Sequence, residues 1–210
     1  MTYSNAYVRR LTVDERNDLA TVLATLDEDA WLRRTPCDGW TVRDLVAHIY
    51  GWDALLVHAT AAGHARALKR WFVANATARF RPDRLNTRLV QSAPWPGPEL
   101  LDRFNRQLPP QPCWLFDSVA RGAQLAEFLI HHHDVPVAVD QPRVAPPERV
   151  RVALDGITRV PGLHAKALLA KNTWTALDLD WRAGRGPAVE GTGEEILLAL
   201  AGRHTGLRAA

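Results

Sequence analysis

Along the first third of the chain the apolar positions fall at helical spacing. Leu19, Val22, Leu23 and Leu26 follow an acidic turn at Asp14 and Glu15, which predicts a first helix from about Val13 to Leu32. Pro36-Cys37-Asp38-Gly39 breaks it. Thr41 followed three residues later by Asp44 has the form of a capping box with Asp in the Glu position, so a second helix is expected from Thr41 to about Ala62. Its apolar stripe is Leu45, Ile49, Trp52 and Leu56, and His48 falls on the same inward side. Ala65 to Phe80 continues in helical register, whereas Arg81 to Pro98 holds several prolines and no sustained period and reads as an irregular connection. Helix resumes at Pro98-Glu99-Leu100-Leu101, stops at Pro109, Pro110 and Pro112, and returns as a long segment from Cys113 to Ala138. Pro146-Pro147-Glu148 opens another, with Val150, Val152, Leu154 and Ile157 inward.

After Lys171 the period changes. Thr173 to Trp181 alternates with period two and runs into Ala183-Gly184-Arg185-Gly186, a strand and turn, and Gly193 to Arg203 is a short helix with a glycine near its end. The expected fold class is therefore mainly α, α+β overall. Residues 1–140 form a helical domain, and residues 141–210 a helix plus a small α+β segment with strand and turn at 173–186 and helix at 193–203.

Composition narrows the function classes. At 210 residues and 47% hydrophobic, the chain can bury a full core without a staple. The excess of 26 Lys and Arg over 23 Asp and Glu is small, and the two signs are interleaved, which argues against nucleic-acid binding. Cys37 and Cys113 make neither a disulfide framework nor a cysteine metal site. With no leader pattern at the start, and no window near the roughly 20 apolar residues of a membrane span, the expected location is the cytoplasm and no membrane partner is expected.

The chemistry concentrates in one segment. Gln124, Glu127, His131 and Asp134 recur at spacings of three, four and three within an otherwise apolar helix, so they share a face. A buried polar stripe needs a compensating partner. If the helix carrying His48 is its neighbour, His48, Glu127 and His131 converge as two imidazoles and a carboxylate on one divalent metal, with a coordination position left open. Asp134 and Gln124 are then placed to orient a ligand imidazole through its other nitrogen. The blander readings are an exposed polar face for Glu127 and His131 and a satisfied core histidine for His48. His132 and His133 read as packing or solvent-facing residues, Trp40, Trp52 and Trp114 as core or pocket wall, Cys37 as a small buried hydrophobe, and Arg79, Arg81 and Arg84 as solvated.

Three segments carry a resemblance: Thr35 to His48, then Glu127 to Asp134, then Leu200-Ala201-Gly202-Arg203. In that order they resemble the DinB-like, mycothiol-dependent maleylpyruvate isomerase family of actinobacteria. The resemblance implies an antiparallel four-helix bundle with a small C-terminal α+β appendage, and a divalent metal, usually zinc, held by His48, Glu127 and His131. It further implies mycothiol as thiol cosubstrate at the open metal position, and Arg203 as a contact for a substrate or cofactor carboxylate. The expected activity is isomerase or S-transferase chemistry on a small electrophile. A non-catalytic metal-containing small-molecule-binding or stress-response protein, and a thiol-independent metal-assisted hydrolase, are the alternatives. A homodimer is compatible with the sequence, which does not fix the oligomeric state.

Overall fold

The computed structural model describes residues 3–37, 39–56, 61–107, 122–141, 143–160 and 162–207. It is mainly helical with a small C-terminal sheet, as the pattern predicts. The described residues form ten α-helices: α1 Asn5–Leu23, α2 Glu28–Leu32, α3 Val42–Leu56, α4 Ala61–Thr77, α5 Pro82–Gln91, α6 Gly97–Arg106, α7 Ala123–Ala138, α8 Pro147–Gly156, α9 Ala165–Lys171 and α10 Gly193–Leu200. The expected start of the long helix at Cys113, and Trp114 with it, lie outside the described residues.

Two compact units share the chain. One comprises Met1–Glu15, Ala120–Pro136 and Pro142–Ala210, the other Arg16–Val119 and Val137–Gln141. The first has a continuous apolar core in which Leu11 from α1 and Leu125, Ala126 and Leu129 from α7 join Val150, Leu154 and Ile157, Trp174 and Val189, and Ile196, Leu197 and Leu200. Its sheet has the order β2-β1-β3, with β1 Thr173–Ala176, β2 Arg182–Gly184 and β3 Ala188–Gly191. Thr173 pairs with Gly184 in the antiparallel ladder and with Ala188 in the parallel one. Trp181 fixes the turn between β1 and β2 by donating its indole N–H to Asp155 at 3.0 Å.

In the second unit Leu85 and Leu89 of α5 bury against Ala78, Trp52, Leu55 and Ala74. Arg16 and Asp53 form a buried ion pair there at 3.3 Å. The Arg16 guanidinium also lies over the Phe104 ring and donates to the Phe104 carbonyl, so the charge is satisfied inside the unit.

Three expectations are corrected. The first helix begins at Asn5, eight residues before Val13, and stops at Leu23. Asp27 then caps α2 by accepting from Ala30 N–H at 2.8 Å, so this acid starts a separate short helix after the break. Arg81 to Pro98 is not an irregular connection, because Pro82 occupies the first turn of α5, where its missing N–H costs nothing, and Leu85 and Leu89 supply one buried face. Lastly, the sheet holds a third strand, β3, beside the expected strand and turn.

Candidate metal centre

Helix α3 starts as the spacing predicts. Asp44 Oδ2 accepts from the Thr41 hydroxyl at 2.8 Å and the Thr41 N–H at 3.2 Å, while Asp44 N–H donates to Thr41 Oγ1 at 3.2 Å. This cap fixes the phase of the helix and turns Leu45, Val46 and His48 inward. His48 is 4% exposed, and its ring lies 4.8 Å from that of Trp40, which therefore walls the imidazole.

Helix α7 is buried on nearly every side, including His131, His132 and Asp134, with Glu127 half-buried. A polar group in such a helix must meet a partner, and each of these does. His131 Nε2 lies 3.2 Å from Glu127 Oε2 one turn back, and His131 Nδ1 lies 3.1 Å from Asp134 Oδ2. The two ring nitrogens thus face different carboxylates. Burial opposes charge on this imidazole, but the hydrogen bonds to Asp134 and Glu127 outweigh it and push His131 up to about 9. Asp134 is wholly buried. Burial pushes its carboxyl up, but hydrogen bonds from Arg203 and His131 prevail and hold it below the usual carboxylate range.

Arg203 reaches Asp134 from the end of α10. Gly202, at φ +83°, takes the left-handed conformation that closes the helix: its N–H donates to the Ala199 carbonyl at 3.0 Å and the Arg203 N–H to the Leu198 carbonyl at 2.9 Å. The guanidinium then spans Asp134, with Nε donating to Oδ1 at 2.8 Å and Nη2 to Oδ2 at 2.6 Å. Gln124 is half-buried on the same helix as Glu127.

Glu127 and His131 offer ligand atoms 3.2 Å apart on one face of α7, and with His48 of α3 they make a candidate set that could hold a metal ion. The chemistry of this donor set fits a divalent cation: two imidazoles and a carboxylate suit zinc or a similar metal, and three protein ligands leave at least one position open. The contact between His131 Nδ1 and Asp134 is the one that metal-ligating histidines make through their other nitrogen.

Sequence reasoning missed a second polar network, in the unit that holds Glu127 and His131. Glu15, fully buried, receives Arg149 at 2.7 Å and Arg143, and lies 2.6 Å from His132 Nδ1. His132, expected to pack or face solvent, is buried in this network, whereas His133 is partly exposed and lies 3.8 Å from Glu194. The available signal was spacing: Leu11, Glu15, Leu19 and Leu23 recur every four residues, so Glu15 stands in an apolar stripe.

Residues 13–136 match the model of the mycothiol maleylpyruvate isomerase N-terminal domain, and the chain belongs to that family. Two solved structures are also similar. One is a crystal structure of mycothiol-dependent maleylpyruvate isomerase carrying a point mutation, at 14% identity over 98% of this chain and 94% of that one, with a TM-score of 0.49. The other is a crystal structure of mycothiol-dependent maleylpyruvate isomerase, at 14% identity over 98% of this chain and 93% of that one, with a TM-score of 0.46. No curated protein matches the chain.

Proposed function

We propose that this chain is a divalent-metal-dependent enzyme that uses a low-molecular-weight thiol of the mycothiol type for isomerase or S-transferase chemistry on a small electrophile in the cytoplasm. The observation that carries the reading is the donor pair on α7, where Glu127 Oε2 and His131 Nε2 lie 3.2 Å apart, with buried His48 on α3 as the third candidate ligand. Family membership over residues 13–136 supports it. In this reading His48 and His131 supply imidazole nitrogens and Glu127 a carboxylate oxygen, while Asp134 holds the far nitrogen of His131. A zinc-type ion bound there would stabilise thiolate at neutral pH, where a free thiol with pKa about 8.5 is mostly protonated. The Trp40 ring, 4.8 Å from that of His48, forms one wall beside the imidazole.

The test is metal analysis followed by turnover. Purified protein is expected to hold one zinc per chain. His48→Ala, Glu127→Ala and His131→Ala are each expected to lose it, and stoichiometric zinc retained in all three overturns the assignment. Turnover of maleylpyruvate or a chromogenic electrophile is expected only with added thiol, abolished by a chelator and restored by zinc. Tight thiol binding with no turnover across a substrate panel would make this a binding protein, and activity without any thiol would make it a hydrolase.

A further inference from the structure

Asp134 shares its carboxylate between two groups. Oδ2 meets His131 Nδ1 at 3.1 Å and Arg203 Nη2 at 2.6 Å, and Oδ1 meets Arg203 Nε at 2.8 Å. A carboxylate held at only one oxygen can rotate about its last bond, whereas one gripped at both by a planar guanidinium cannot do so without breaking a charge-assisted hydrogen bond. Asp134 is 0% exposed, so water does not replace a lost partner. Arg203 in turn does not choose its direction freely: the Gly202 turn closes α10 and aims the next residue at α7.

We propose that Arg203 is a positioning residue for the metal centre: its fork fixes Asp134, which takes the Nδ1–H of His131 and leaves Nε2 as the donor atom. This rests on the metal reading above and gives the closing Leu200-Ala201-Gly202-Arg203 motif a duty different from direct contact with a substrate carboxylate. The chain of contacts is Arg203 to Asp134 to His131, and Glu127 lies on the opposite nitrogen of the same imidazole at 3.2 Å. A lysine keeps the charge but offers a single ammonium in place of the fork, so it cannot pin both oxygens.

Zinc affinity by chelator competition, on the full chain, reads this directly. Arg203→Lys is expected to weaken zinc by on the order of 10–100-fold, the range typical of lost outer partners of a ligating histidine. Asp134→Asn, which keeps the shape of the side chain, is expected to fall in the same range. Arg149→Lys serves as a control for lost stability, because Arg149 holds Glu15 and not Asp134; it is expected to lower the urea midpoint while leaving zinc affinity within about twofold. In the zinc-loaded wild type, the ¹⁵N spectrum is expected to show a protonated, slowly exchanging Nδ1 on His131, with exchange faster in Arg203→Lys. Zinc affinity unchanged in both Arg203→Lys and Asp134→Asn, with wild type binding one equivalent, overturns the positioning role and leaves the metal assignment standing. Failure of the wild type to bind zinc overturns both.

Discussion

Glu15 is the residue on which most formal charge converges away from the candidate metal ligands. It is buried in line with Leu11, Leu19 and Leu23, and it is tolerable there only because Arg143, Arg149 and His132 surround it. Burial alone would push its carboxyl up; the hydrogen bond with His132 and the charges of Arg143 and Arg149 reverse that and hold it below the ordinary range. A carboxyl whose folded pKa is depressed contributes stability that is present above its unfolded value, near 4.5, and is lost as pH falls through the folded value. Glu15→Gln is therefore expected to cost about 3–5 kcal/mol at pH 7, the range for breaking one side of a buried pair. The cost should shrink below pH 4.5, where Glu15 of the unfolded chain takes up a proton that the folded carboxyl still resists. Urea unfolding of both proteins at pH 7 and pH 3.5 measures this, and an equal difference at the two pH values would remove Glu15 as the titrating group. The candidate metal ligands on α7 were more legible in the sequence than Glu15 was. Glu127 and His131 lie on one helix, where a separation of four fixes their approach, whereas Arg143 and Arg149 reach Glu15 across more than a hundred residues of chain, a distance that no local pattern encodes.

At the scale of elements, the phase and packing of α7 decide where Glu127 and His131 stand. The residue before its first turn, Gly122, has φ +77°, and its backbone lies directly against Gly156 at the end of α8. A Cβ on Gly156 would come within 2.3 Å of the Gly122 carbonyl carbon and 2.6 Å of its Cα, both backbone atoms that cannot rotate aside. Gly156→Ala is thus expected to push the two helix ends apart and to destabilise by about 1–3 kcal/mol, the cost of overpacking. The helix propensity of alanine would favour it by only about 1 kcal/mol. For a chain of this length each kcal/mol lowers the melting temperature by about 2–4 °C, so calorimetry resolves the effect. A melting temperature equal to or above that of the wild type would show that the close approach is not maintained in solution. Which elements were legible follows from the same physics. The Thr41–Asp44 cap announced α3 because both its halves are local. Helix α5 was hidden because prolines on either side read as breakers, and Pro82 is harmless only at the one position it occupies. Strand β3 was hidden because its four residues pair in parallel with β1, a partner twelve or more residues earlier in the chain, and a strand that short carries little period of its own.

For the molecule as a whole, the family match ends at residue 136, while the apolar core that α7 belongs to continues to the C-terminal helix. Leu125, Ala126, Leu129 and Ile130 lie in one cluster with Val150, Leu154, Ile157, Trp174, Ile196, Leu197 and Leu200. Arg143, Arg149 and Arg203, which answer the buried acids Glu15 and Asp134, also come from beyond residue 141. A chain ending at Gln141 would expose an apolar face of α7 and leave two carboxylates buried or half-buried without their arginines. Each lost side-chain burial costs about 1.5–3 kcal/mol, and each unpaired buried charge several more, against a total stability of 5–15 kcal/mol for a typical domain. The 1–141 fragment keeps the second unit whole but not the first, so it is expected to lose the part of the urea transition that belongs to the first unit, to bind a hydrophobic dye, and to hold less than about one tenth of the zinc of the full chain at equal metal concentration. Thermodynamics, not catalysis, is the readout, so the result is independent of which substrate the protein uses. A fragment that keeps the full-length transition and holds one zinc would show that the N-terminal segment carries the metal centre alone, with the C-terminal residues serving some later step. Loss of the first unit's transition and of the zinc, with recovery on adding back residues 142–210 as a separate chain, would show that the ordering of α7 depends on that segment.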